Sequence, residues 1–146
     1  MVVRPLSADD DAAARDLIAR QFGETRYEAR MLELLDVALR GGDDLGIVAI
    51  DGSVRGLILF TEIGGTSGAA RISCLVGADA YCAALVEAFL QRENRLTFAE
   101  FPDDSPFRRP AAILLDLGFA VETRVPDFVS DGVSLAIFVN RASMRA

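Results

Sequence analysis

Apolar positions divide the chain into short continuous runs and longer stretches of helical period. Val2-Val3-Arg4-Pro5-Leu6 is a run that predicts a strand ending near Pro5. Ser7 can cap the helix that follows, and Asp9, Asp10 and Asp11 fall in its first turn, where the helix dipole favours negative charge. Ala14, Leu17, Ile18, Gln21 and Phe22 then form one stripe, and Gly23 ends it. A second stripe of Tyr27, Met31, Leu34, Leu35 and Ala38 predicts a helix from about Thr25 to Gly41-Gly42. Asp36 and Arg40 are spaced in it as an i,i+4 pair.

The middle of the chain changes period. Leu45 to Ile50 and Val54 to Ile63 are apolar runs joined by Asp51-Gly52, a hairpin signal. Gly64 to Gly68 is expected to be a connection, and Ala70 to Val76 a third run. A helix from about Asp79 to Gln91 has apolar residues around most of its circumference, which predicts burial on more than one side. Arg95 to Phe101 is a further strand. Pro102 to Pro106 is a turn with capping residues, followed by a short helix with Pro110 in its first turn and its end at Leu117-Gly118. Ala120 to Val125 and Val133 to Val139 are the last strands, with Pro126 to Gly132 as their connection. The order is β-α-α-β-β-β-α-β-α-β-β. It predicts an α+β fold, a mixed and mostly antiparallel sheet of about seven strands with helices on both faces.

Composition narrows the chemistry. With 146 residues, 51% of them hydrophobic, one domain over 1–140 is expected, with a tail at 141–146. All 15 basic residues are Arg, and His, Lys and Trp are absent. Nucleophiles that need His, His-ligated metals and Schiff-base lysines are therefore excluded. The net charge of −7 speaks against nucleic acid and anionic membranes as partners. Cys74 and Cys82 are too few for a disulfide scaffold or a four-cysteine metal site. No secretory pattern or membrane-length apolar run is present, so a reducing cytoplasm is the expected location.

Two stretches resemble the GNAT acetyltransferase superfamily. "LLDLGFAVETRVPDFVSDGVSLAIFV", Leu114 to Val139, is similar to the family's segment in which a short helix ends in Leu-Gly-Phe before the last two strands. "GIVAIDGSVRGLILF", Gly46 to Phe60, is similar to its second and third strands around an Asp-Gly turn. The resemblance implies binding of acetyl-CoA and direct acetyl transfer to an amine of a small molecule or protein, without a metal. It also implies that the end of the fourth strand, Cys74-Leu75-Val76, holds the coenzyme, with Gly77-Ala78 either offering backbone amides to a phosphate or forming a plain strand-to-helix turn.

The chain departs from the family in two places. The Arg/Gln-x-x-Gly-x-Gly/Ala loop that grips pyrophosphate is replaced by the shorter Gly77-Ala78-Asp79-Ala80-Tyr81, in which Asp79 is expected to cap the next helix. Leu114 stands where many members carry a proton-donating Tyr. These departures keep a second expectation open. It is a domain of the same fold that has lost coenzyme binding and serves in binding or assembly. Phe128, Val129 and Phe138 would then be an interface, with a homodimer as one form of it.

Candidate residues follow from position. Glu100, late in the fifth strand, is expected to be the general base, or else a solvated strand-end carboxylate. Glu62, late in the third strand and in phase with Ile58 and Phe60, is a second candidate facing a cleft, or else marks the strand's exposed end. Arg109, with Arg108, is expected either to reach coenzyme phosphates or to offset Asp103 and Asp104 on a solvated helix face. Cys74, Cys82 and Tyr81 also read as packing residues.

Overall fold

The computed structural model describes residues 1–41, 44–63, 68–93 and 96–141. Seven strands and four α-helices follow in the expected order. They are β1 (Val2–Pro5), α1 (Asp11–Phe22), α2 (Glu28–Leu39), β2 (Asp44–Asp51), β3 (Ser53–Ile63), β4 (Ala69–Gly77), α3 (Asp79–Arg92), β5 (Leu96–Pro102), α4 (Arg108–Asp116), β6 (Ala120–Ser130) and β7 (Val133–Asn140). The sheet order is β1-β2-β3-β4-β5-β7-β6. Every junction is antiparallel except β4–β5, which is parallel because α3 carries the chain back across the sheet. Helices α1 and α2 cover one face and α3 and α4 the other. Leu57, Ile58, Leu59 and Phe60 of the interior strand β3 are accordingly buried in succession rather than in alternation.

The feature that shapes the molecule lies between β4 and β5. They pair only from Ala69–Leu96 to Ile72–Ala99. Beyond that point β5 follows β7 as far as Pro102–Leu135, while β4 runs on alone on that side to Gly77. β4 also bulges there. Leu59 of β3 faces Cys74 and Phe60 faces Ile72, which leaves Ser73 as the extra residue. Phe107, in the short 3-10 turn Ser105–Phe107 ahead of α4, packs beneath the opening. Its ring centroid lies 5.1 Å from Phe22, 4.9 Å from Tyr27 and 5.5 Å from Phe101.

Three local expectations need correction. Asp36 does not pair with Arg40; its carboxylate takes the Arg15 guanidinium of α1, which ties the two neighbouring helices together. Pro126 to Ser130 belongs to β6 rather than to a loop. Asp131-Gly132 makes the reversal alone, with Gly132 at φ +79 and its N–H donating to Asp127 Oδ1 at 2.8 Å. Pro126 is tolerated because β6 is an edge strand, with an irregular register between Val125 and Ser130. Phe138 is 3% exposed and packs on Phe101, so it belongs to the core and offers no interface; Phe128 is 64% exposed. The Gly64 to Ser67 part of the expected connection and the tail beyond Arg141 lie outside the described residues.

Candidate functional site

Two clefts flank the parted ends of β4 and β5. The larger has a volume of about 830 Å3 and lies between α1, the β4–α3 turn and the segment before α4. Four arginines line it, Arg20, Arg26, Arg55 and Arg109, on a chain whose net charge is −7. Asp104 is the one acid among the lining residues, so the lining stays net cationic, opposite in sign to the molecule, which draws anions to this cleft. The smaller cleft, about 400 Å3, lies against α2 and the β6–β7 hairpin and is lined by Arg71, Ser73 and Glu100. Tyr27 borders both.

The turn after β4 is held by a glycine and a glutamine. Gly77 has φ +124, and a Cβ there would stand 2.5 Å from the Arg55 carbonyl oxygen, so only glycine fits. Its N–H donates to Gln21 Oε1 at 3.3 Å. Gln21 Nε2 in turn donates to the carbonyls of Leu75, at 3.1 Å, and Pro106, at 3.2 Å. One α1 carboxamide therefore occupies main-chain groups of β4 on the side where β5 has turned away. In the sequence Gln21 is a polar residue inside an otherwise apolar stripe. That anomaly was the only signal of its role.

Asp79 does not cap α3. Ala78 is the N-cap, in extended conformation, and Asp79 is the first helical residue. Its carboxylate turns to Arg109, which lies 3.1 Å away, so the acid in this short turn is matched by a cation. Leu114 is wholly buried. Cys74 and Cys82 are buried free thiols. Burial pushes both upward, Cys82 to about 12, so neither is a thiolate nucleophile at neutral pH.

Both tyrosines face the larger cleft as neutral phenols. Tyr27 is 8% exposed, and its hydroxyl donates to Asp104 Oδ2 at 2.7 Å. Burial and that bond push its pKa up to about 12. The same bond, with the Ser105 N–H, holds Asp104 below the usual carboxylate range. Tyr81 is half-buried, and its hydroxyl donates to Asp51 Oδ2 at 2.9 Å, so it is not simply a packing residue.

The expected site residues are therefore only partly brought together. Gly77, Ala78 and Arg109 line the larger cleft, with the Leu75 carbonyl reaching its wall through Gln21. Cys74 and Val76 point into the core. Glu100 is exposed and lines the smaller cleft. Glu62 is elsewhere, near the other end of β3 and within 3.9 Å of Arg92. Sequence reasoning passed over Gln21, Arg20, Arg26, Arg55, Arg71 and Ser73. The arginines come from four separate elements, and no linear motif joins them.

Solved structures share this architecture over nearly the whole chain. A GNAT-family protein from Desulfovibrio desulfuricans superposes with a TM-score of 0.80 at 17% identity, over 94% of this chain and 96% of that one. The fold is that of the GNAT acetyltransferases. An aminoglycoside 6′-N-acetyltransferase complexed with coenzyme A shares this GNAT fold with a TM-score of 0.75 at 11% identity, over 96% of each chain. Arabidopsis thaliana NAA60 in complex with a bisubstrate analogue shares it with a TM-score of 0.71 at 16% identity, over 94% of this chain and 95% of that one. The sequence matches no family model and no curated protein.

Proposed function

We propose that this chain transfers an acetyl group from acetyl-CoA to an amine. The observation that carries the reading is the meeting of two unlike clefts at the parted strands, a cationic one over Gly77 and one bearing the Glu100 carboxylate. Coenzyme A is long and strongly anionic, and one of the solved structures sharing the fold holds it. The residues present suit it. Arg20, Arg26, Arg55 and Arg109 meet its phosphates, and Arg109 already offsets Asp79. Main-chain groups of β4 from Ser73 onward are free of β5 and can orient the amide-bearing arm and polarise the thioester oxygen. Gln21 has to swing aside wherever the ligand uses Leu75 or Gly77.

The chain supplies position and proton transfer rather than a covalent intermediate. Glu100 takes one proton from the incoming ammonium. The amine nitrogen then bonds to the carbonyl carbon as the carbon–sulfur bond breaks, and the electron pair leaves on sulfur. A second nitrogen proton is lost and sulfur is protonated, so the products are an amide and a thiol.

Calorimetry with acetyl-CoA and CoA is the first test, and no heat at millimolar ligand sinks the reading. Thiol release with a panel of amines is the second. Cys74 and Cys82 are buried and do not contribute to that signal. Glu100→Gln is expected to lower kcat/KM by on the order of 10²–10⁴-fold. Glu100 is exposed, so the melting temperature is expected to stay unchanged.

A further inference from the structure

The smaller cleft carries more charge than acetyl transfer requires. Arg71 of β4 is half-buried, lines this cleft, and has no ion-pair partner among the described residues. A cation held partly out of water without a counter-charge is unfavourable, and in a cleft it marks a place for an anion. Glu100 faces the same space. Arg71 pairs with Phe98 across β4–β5, and Glu100 stands two residues beyond Phe98, so both side chains leave the same face of the sheet. Strand geometry separates their Cα atoms by roughly 8 Å. A carboxylate and a guanidinium so placed, and not in contact with each other, can grip the two ends of a zwitterion. The remaining wall is apolar, with Met31 and Leu34 of α2 and Val129 of β6. The volume of about 400 Å3 suits a small molecule.

We infer that the acceptor is an amino acid with an apolar side chain. Its ammonium lies toward Glu100 at the parted strands, its carboxylate on Arg71, and its side chain against Met31 and Leu34. This rests on the acetyl-transfer reading and specifies its second substrate. The product is the N-acetyl amino acid, formed with the proton balance given above. A polyamine is the wrong partner, because Arg71 repels its second ammonium.

The test measures thiol release from acetyl-CoA with leucine, leucinamide and spermidine, on the unaltered chain and on Arg71→Gln, beside calorimetry of leucine and of acetyl-CoA. Leucinamide has the less basic amine and would win on proton loss alone. The expected result is a kcat/KM for leucine at least about tenfold above that for leucinamide, expressed mainly in KM, with spermidine lowest. Arg71→Gln is expected to abolish the leucine preference and leave leucinamide level or ahead, while acetyl-CoA affinity and melting temperature hold. If leucinamide or spermidine reacts as well as leucine, or the leucine preference survives Arg71→Gln, the inference is overturned and acetyl transfer stands. No turnover and no leucine heat, with acetyl-CoA still bound, also overturns it. Absence of acetyl-CoA heat removes the parent reading with it.

Discussion

Replacing Gln21 with alanine is expected to weaken the fold and tighten the coenzyme. The side chain makes three hydrogen bonds, at 3.1, 3.2 and 3.3 Å, to Leu75, Pro106 and Gly77. All are long for their kind, and Gln21 lines an open cleft, so water replaces the lost partners. The appropriate scale is then the net value of a hydrogen bond, not the penalty of a sealed orphan. Three such bonds amount to about 2 kcal/mol. In a chain of this length that lowers Tm by roughly 4–8 °C. A coenzyme that uses the Leu75 and Gly77 main chain must first give up the same bonds. Removing them in advance therefore tightens binding on the order of 10–30-fold. Thermal melting and calorimetry with acetyl-CoA read the two effects separately. Opposite signs are the prediction. If affinity falls together with Tm, Gln21 holds the ligand rather than standing in its place. If Tm falls and affinity does not move, the ligand does not use this edge of β4.

Asp79→Asn is expected to tighten acetyl-CoA severalfold at low salt and hardly at all at high salt, because it removes a carboxylate beside the cationic cleft. Calorimetry in two buffers checks this, and Tm holds because the Asp79–Arg109 pair is exposed. Gly77→Ala forces a side chain into φ +124, 2.5 Å from the Arg55 oxygen, and is expected to cost roughly 2–3 kcal/mol, read as a lower denaturation midpoint. Tyr27 is held neutral to about pH 12 against a usual value near 10. Its folded pKa is the raised one, so its contribution is complete below pH 10 and fades as pH rises toward 12. Alkaline unfolding curves are expected to lose that limb in Tyr27→Phe.

How much of this was visible in the sequence depends on the range of the interaction. The order of strands and helices follows from hydrophobic period, a local property, and the structure reproduces it. Turn residues misled at Pro126-Asp127 because their preference is conditional. On an edge strand, a proline has no ladder bond to lose, and the two residues Asp131-Gly132 sufficed to reverse the chain. Asp36 shows the same limit. An i,i+4 partner was available, but α1 packed close enough to offer Arg15 instead. Glu100 and Arg109 could be picked out because strand ends and helix starts are where side chains escape the core. Glu62 met the same criterion and ended beside Arg92, since phase along a strand does not say which end of the sheet opens. Gln21 and Arg71 were out of reach for a further reason. Each acquires its meaning only from the place where β4 and β5 cease to pair.

That parting also explains an otherwise costly group. Ser73 is the bulged residue, and its buried hydroxyl is without a hydrogen-bond partner, the only such side-chain atom among the described residues. A buried orphan costs on the order of 1–3 kcal/mol, and a fully paired β4–β5 ladder would have no reason to carry it. It stands on the wall of the smaller cleft, one residue past the last β4–β5 pair at Ile72, where the strands have just separated. Tyr27 closes the other side of the same passage, fixed edge-on against Phe107, 4.9 Å away, and by its hydroxyl on Asp104, so the opening has a rigid floor. The sheet gives up ladder bonds and tolerates an unsatisfied hydroxyl at one point, and at that point a cationic cleft and a zwitterionic one approach each other. Under acetyl transfer the three features have a single cause. The thioester carbonyl and the attacking nitrogen must meet inside the sheet, and they bring the polar atoms that Ser73 lacks.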